Sequence, residues 1–284
     1  MIDQPTAALA AATLALAGHG VASKDAATDH VNPADADATS LDWPTPRVCG
    51  SASFTCRVWT EAKPIKAAIL DHPFIAELTR GTLDRDVFLG YLKQDALYLD
   101  VYARAMAAAA AQAPSSDDIV FWATSARDAI LVERELHAGR VTDSHPVLAS
   151  PTTTGYTSYL LSLAASGCYP ALAAGVLPCF WVYEFVGTRI KEQVLRRAAA
   201  VGDGNADAGA GEESLASHAY GDWIGAYGDE AFREATTAAI GIVDRLADEA
   251  DVATRSRMRE AFLTACRYEW MFWDAAYRQE GWPV

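Results

Sequence analysis

The sequence predicts an all-α protein, a multi-helix bundle, and three observations predict it. From Phe54 onward, apolar residues recur at spacings of three and four over long stretches, the period of a helix face. No alternation of Val, Ile or Thr bracketed by turn residues reads as a strand. Ser, Asp, Gly and Pro punctuate the periodic stretches where helix starts and stops are expected. The chain of 284 residues is 51% hydrophobic, ample for a real core.

Taken in order, residues 1–53 stand apart. The stretch SKDAATDHVNPADADATSLDWPTPRVCGSAS is polar, acidic and turn-rich and holds no sustained period. It reads as a disordered or loosely attached extension ahead of a single helical domain at 54–284. FTCRVWTEAKPIKAAILDHPFIAELTRGTL reads as one helix and a second, short one. In LDRDVFLGYLKQDALYLDVYARAMAAAAAQAP, Asp84 is placed to cap. Val87, Tyr91, Leu92 and Leu99 keep helical spacing, and Pro114 ends the run. SSDDIVFWATSARDAILVERELHAGRV follows, capped by Ser115 or Ser116. SPTTTGYTSYLLSLAASG stops at Gly167. YPALAAGVLPCFWVYEFVGTRIKEQVLRRAAA is a long helix that Pro178 should bend, because proline removes a backbone donor and clashes with the carbonyl four residues back, at Ala174. After the Gly/Asp-rich loop VGDGNADAGAGEES come YGDWIGAYGDEAFREATTAAIGIVDRLADEA and DVATRSRMREAFLTACRYEWMFWDAAYR. The pattern amounts to roughly eight or nine helices.

A net charge of −14 argues against a nucleic-acid partner, which needs a basic face to neutralise phosphates. Five of the 23 basic residues are Lys, and Asp outnumbers Glu by 23 to 14. A surface adapted to high salt and a GC-rich codon bias both give that composition. The five cysteines are Cys49, Cys56, Cys168, Cys179 and Cys266. Their odd number and lack of CxxC spacing argue against a disulfide framework or a zinc site and for free thiols in a reducing compartment. No apolar run approaches the roughly 18 residues of a membrane span. The stretch AALAAATLALAGHG is shorter still and follows Asp3 instead of a basic flank. A cytoplasmic protein with no membrane partner is expected.

Four clusters set polar groups among aromatics on apolar helices. In YLKQDALYLDVY, Asp95 and Tyr98 share a helix face; an exposed Asp is the ordinary alternative. In PTTTGYTSYL, Tyr156 and Tyr159 share a face, as core tyrosines also do. In LPCFWVYEFVG, Cys179 and Tyr183 lie one turn apart; a buried cysteine is more often core filler than nucleophile. In CRYEWMFWDAAY, Glu269 sits among Tyr268, Trp270, Phe272 and Trp273. A carboxylate in such company is desolvated, which raises its pKa toward the range of a general acid or base. VERELH, with Glu133 and His137 at i, i+4, is a weak di-iron signal. The Glu-x-x-His spacing is absent, no second copy exists, and His72, His145 and His218 each stand alone. No metal site is expected.

The blocks HPFIAELTRGTL, YLKQDALYL, SPTTTGYTSYLLSL, LPCFWVYEFVG, YGDWIGAYGDEAF and YEWMFWDAAY, in this order, resemble the TenA-type thiaminase II (aminopyrimidine aminohydrolase) family. The resemblance runs from about Phe54 to Tyr277; residues before Phe54 and the loop at 201–214 fall outside it. It implies a bundle of the haem-oxygenase-like type without haem, no cofactor and a homotetramer. It also implies hydrolysis of an aminopyrimidine such as 4-amino-5-aminomethyl-2-methylpyrimidine to hydroxymethylpyrimidine and ammonia, for thiamin salvage, with thiamin as a second candidate substrate. Carried over block by block, Cys179 matches the nucleophile and Glu269 the catalytic glutamate. Asp95 and Tyr98 match residues that hold the pyrimidine, and Tyr156, Tyr183 and Tyr220 match site tyrosines.

These residues suit such a substrate. An aminopyrimidine is flat and apolar on its faces, so tyrosines and Phe272 can line it, while Asp95 accepts from the exocyclic amine. A sulfur adding to the ring helps expel the nitrogen on the methylene. Two other classes stay open: a helical protein that binds a pyrimidine without turnover, and an oxidase on the same fold. Because residues 1–50 lie outside every block, their deletion is expected to leave turnover within about tenfold, roughly 1.4 kcal/mol; steady-state rates of the truncated chain check this.

Overall fold

Helix starts follow the caps. The computed structural model describes residues 52–140, 147–201 and 215–284, leaving aside the side chains of 132–140 and 198–201. Among these residues there are ten helices. Short helices α1 (Phe54–Glu61), α2 (Lys63–Leu70) and α3 (Pro73–Arg80) lead into α4 (Arg85–Gln112), α5 (Ser116–Arg140), α6 (Pro151–Ala165) and α7 (Tyr169–Val201). Then come α8 (Gly221–Tyr227), α9 (Glu230–Glu249) and α10 (Val252–Tyr277). Asp84, Ser150, Asp229 and Asp251 each accept backbone N–H bonds in the first turn of the helix they precede, satisfying donors that no carbonyl reaches. No strand occurs among the described residues.

The count exceeds the expected eight or nine for two local reasons. The first periodic stretch holds three helices, because Pro64 and Pro73 each start a new one, and His72 Nδ1 caps α3 by accepting from the Phe74 N–H at 3.1 Å. The stretch at 220–250 splits at Gly228, where Asp229 caps anew. Pro178, expected to bend α7, lies inside a helix that continues through it for 33 residues.

That helix organises the core. α7 packs against α9 and α10, while α4 packs on α5 and α6. Ala171 to Leu177 are buried almost without remainder, and Trp181 stacks on Trp59 with ring centroids 4.1 Å apart. The expectation that no stretch approaches a membrane span needs correction. The Tyr169–Arg197 segment is long enough and its most apolar 18-residue window has a mean hydropathy of 1.4, but 83% of that window is buried inside the bundle. A polar network ties three helices around it. Asp118 on α5, 3% exposed, pairs with Arg245 of α9 at 2.6 Å and accepts from the Tyr169 hydroxyl of α7, which in turn accepts from Trp122.

One hydrophobic cluster extends from Phe54 to Ala276. The extension read at 1–53 lies outside the described residues except for Ala52 and Ser53, as do Cys49, His145 and the side chains of Glu133 and His137. Cys56, Cys168, Cys179 and Cys266 are free thiols. Among the described residues, no group of three His, Cys, Asp or Glu is placed to hold a metal.

Candidate active site

Helix spacing assembles the site. On α4, Tyr91, Asp95, Tyr98 and Tyr102 fall at i, i+4, i+7 and i+11, one stripe that faces inward. On α7, Cys179 and Tyr183 are one turn apart, and on α10 Glu269 and Phe272 are three apart. α6 adds Tyr156. The Tyr156 hydroxyl donates to Glu269 Oε1 at 2.6 Å. Its ring lies 4.9 Å from that of Tyr98 and stacks on Tyr268 at 5.0 Å. Phe272 closes the wall, 5.7 Å from Tyr98 and 5.9 Å from Tyr91. The Tyr91 hydroxyl donates to that of Tyr183 at 3.1 Å. Asp95, Tyr98, Tyr156, Tyr183, Glu269 and Phe272 are all buried, and Cys179 is partly so.

The electrostatics follow from that burial. Desolvation pushes the Asp95 carboxyl up to about 7. Desolvation also raises Glu269, to about 8; the Tyr156 hydroxyl pulls against the rise and Asp95 adds to it. Burial pushes the Cys179 thiol well above its ordinary value and the negative charge of Glu269 adds to this, while the Tyr98 and Tyr102 hydroxyls favour the thiolate and offset part of the rise. Two carboxyls therefore sit near their midpoints at neutral pH in one dry cluster, where charge is easily gained or lost. Tyr98 Oη is buried with no hydrogen-bond partner of good geometry, and Cys179 and Tyr156 are its polar neighbours. A buried donor left unpaired is costly unless a ligand completes it.

Of the residues expected at the site, the structure brings together Cys179, Glu269, Asp95, Tyr98, Tyr156, Tyr183 and Phe272. It does not bring Tyr220. That side chain stands at the start of α8, its ring on Phe88 at 4.5 Å and its hydroxyl donating to the Leu83 carbonyl. The other tyrosine of the same block, Tyr227, takes the place instead. It is 4.9 Å from Tyr183, and Asp95, Cys179 and Glu269 all act on its hydroxyl. Gly187, one turn beyond Tyr183, permits this. A Cβ there would lie 2.6 Å from the Tyr227 Cβ and 2.7 Å from its carbonyl carbon, so any side chain would drive α8 away from α7. Tyr91 and Tyr102 were likewise not singled out from sequence, although the stripe on α4 contains both. The hydroxyls beside the thiol are those of Tyr98 and Tyr102 on the facing helix, the latter donating to the Val176 carbonyl at 2.8 Å, while the Tyr183 hydroxyl meets that of Tyr91.

Comparison with known proteins places the chain in a family. The pattern of the TENA/THI-4/PQQC family matches residues 59–279. A protein of Corynebacterium efficiens named thiamine biosynthesis multifunctional protein ThiED is 33% identical over 88% of this chain, which spans 32% of that protein's length. Aminopyrimidine aminohydrolase of Bacillus subtilis is 30% identical, covering 74% of this chain and 84% of that one. Its namesake from Halalkalibacterium halodurans is 29% identical, covering 81% and 98%. Among solved structures, a TenA homologue from Pyrococcus furiosus shares the fold with a TM-score of 0.66 at 21% identity, over 78% of this chain and 99% of that one. With that family pattern matching residues 59–279 and the fold shared, the chain belongs to the TENA/THI-4/PQQC family.

Proposed function

We propose that this protein hydrolyses the C–N bond at the methylene of an aminopyrimidine such as 4-amino-5-aminomethyl-2-methylpyrimidine, releasing hydroxymethylpyrimidine and ammonia for thiamin salvage. The observation that carries the reading is the convergence of Cys179, Glu269 and Asp95 within one closed wall of Tyr98, Tyr156, Tyr183 and Phe272. The names of relatives that align over most of this chain support the same reaction.

Asp95 is assigned to the pyrimidine edge. With a carboxyl near pKa 7, it shares one proton with a ring nitrogen while the other oxygen accepts from the exocyclic amine, so no net charge is buried on binding. Cys179 is assigned as the nucleophile. Its sulfur bonds to a ring carbon beside the one bearing the methylene, and a ring nitrogen takes up the proton. The electron pair returned from the ring then expels the amine from the methylene, and the leaving nitrogen departs with a proton. Water adds at the exposed methylene, the carbon–sulfur bond breaks, and the thiol is restored. Glu269, protonated below about pH 8, is assigned to give and retrieve the proton at the ring or the leaving nitrogen. The raised thiol means that the thiolate forms with substrate bound and is not standing in the free enzyme. The mechanism calls on no metal or organic cofactor.

Asp95→Ala is expected to weaken binding of the hydroxymethylpyrimidine product by about 1.5–3 kcal/mol, roughly tenfold to a hundredfold, because donors on the ligand are left unpaired in a dry site. Calorimetric titration checks it, and unchanged affinity removes Asp95 from the site. The assembly we propose is a cytoplasmic homotetramer. Ile119 and Val120 on α5, Leu161 on α6 and Met271 on α10 are exposed apolar side chains that suit contact between copies. Light scattering on the purified protein measures its mass directly.

A further inference from the structure

Six site residues, Asp95, Tyr98, Tyr156, Tyr183, Glu269 and Phe272, are each at most 4% exposed and Cys179 is partly exposed, so a substrate needs a way in past the buried wall. A cavity of about 210 Å³ lies between the first half of α4, the first turn of α6 and the last turns of α10. On all three helices its lining is one turn from the site. Gln94 precedes Tyr98 and Thr153 precedes Tyr156, while Phe272 follows Glu269. The cavity therefore stands over the Tyr98–Tyr156–Glu269 wall, and Phe272 both lines the cavity and closes that wall. We propose that this cavity is the entrance to the buried site, that Phe272 is the side chain that must turn to admit substrate, and that Glu280 at the mouth favours a cationic amine. The identity of the traveller rests on the aminopyrimidine reading; the route rests on the geometry.

The lining is built, not incidental. Gln94 Oε1 accepts from the Ser150 N–H at 2.9 Å and the Thr153 hydroxyl at 2.7 Å, and its Nε2 donates to the Leu148 carbonyl at 3.0 Å, so its whole amide is fixed. Glu280 is the one charged side chain among the cavity's lining residues. Its carboxylate accepts from the Thr152 N–H at 2.9 Å, at the start of α6. Burial works to raise its pKa, but hydrogen bonds from Thr152 and Ser150 and the Arg278 guanidinium, 3.5 Å from its carboxylate, outweigh that and hold it below the usual carboxylate range, so a cationic amine at the mouth competes with Arg278 for it. Glu280 is thus an anion at neutral pH. An aminomethyl group is a cation there, as an alkylammonium like that of lysine is, and the two attract at the mouth.

Gly90 makes the route testable. It lines the cavity from α4, and a Cβ added there meets nothing within 4 Å. A larger side chain would fill the cavity without a clash at its root, on a helix that gains propensity from losing glycine. The experiment reads access to Cys179 independently of turnover. Methyl methanethiosulfonate, which is neutral, and its trimethylammonioethyl counterpart, which is cationic, are reacted with wild type, Gly90→Ala, Gly90→Leu and Glu280→Gln. Labelling of the Cys179 peptide is followed by mass spectrometry. Gly90→Leu is expected to slow both reagents, and kcat/KM for the aminopyrimidine, at least about tenfold, because a close-packed plug leaves no path. Gly90→Ala stays near wild type, and Glu280→Gln slows the cationic reagent alone, several-fold and less at high salt. Gly90→Met serves as a second plug should the leucine variant not fold. A folded plug variant that labels Cys179 at the wild-type rate overturns the entrance, and equal labelling by both reagents in wild type and Glu280→Gln overturns the role of Glu280. Slowed labelling with no turnover in wild type leaves the entrance standing and removes the functional reading instead.

Discussion

Cys179→Ser is expected to lower turnover at least ~10²-fold while leaving affinity for the pyrimidine product nearly unchanged. Serine is close in size to cysteine and would keep the contacts with Tyr98 and Tyr102, so the packing around it is preserved. The oxygen is a poorer nucleophile and its conjugate base is far harder to form in a site whose burial already pushes a thiol up. One equivalent of an alkylating agent at Cys179 should inactivate the enzyme, with product protecting. Cys56 and Cys266 are buried. If labelling at Cys56, Cys168 or Cys266 is what abolishes activity, or if the serine variant turns over normally, Cys179 is core filler.

Glu269→Gln is expected to lose ~10²–10⁴-fold in turnover, the range of a removed general acid–base group. Its pH dependence has a definite sign. Glu269 titrates near 8, so it is the acid below that pH, and wild-type turnover should fall as pH rises through about 8. The Gln variant, slow throughout, should lack that limb. The Cys179→Ser, Glu269→Gln double variant should be little worse than either single one, since groups acting in one step are not additive. Wild-type stability should fall over the same pH range. A carboxyl raised in the folded state binds its proton more tightly there than in the unfolded chain. Its contribution is complete below about pH 4 and is lost as pH rises through 7 to 8. Glu269→Gln abolishes that loss and should be more stable than wild type above pH 8, by up to a few kcal/mol. Urea titrations of both proteins at pH 6 and pH 9 test it.

The parts of this structure that local chemistry decides were legible in the sequence. Asp84, Ser150 and Asp251 cap because their side chains reach the next turn's own N–H groups, and no distant residue is needed. The stripe on α4 and the pair Cys179–Tyr183 follow from helical spacing alone. What the sequence hid depends on contact between helices. Tyr220 and Tyr227 stand in one block and look alike as text. Which of them reaches the site is decided by the close approach at Gly187, a contact 40 residues away in the chain. The thiol's neighbours Tyr98 and Tyr102 come from a different helix than Cys179, so spacing along α7 cannot reveal them. The breaks at Pro64 and Gly228 were within reach, since proline at a first turn and a Gly–Asp pair are both start signals. They were masked by apolar periodicity that runs on across them.

The most direct measurement is ammonia release from 4-amino-5-aminomethyl-2-methylpyrimidine, followed alongside the appearance of hydroxymethylpyrimidine, for wild type and Cys179→Ser. The account predicts that wild type forms the two products in equal amounts and that the serine variant, still binding the pyrimidine, forms almost none. Tight binding of the aminopyrimidine by wild type with no ammonia released would contradict it, and would leave a helical protein that holds a pyrimidine without cleaving it.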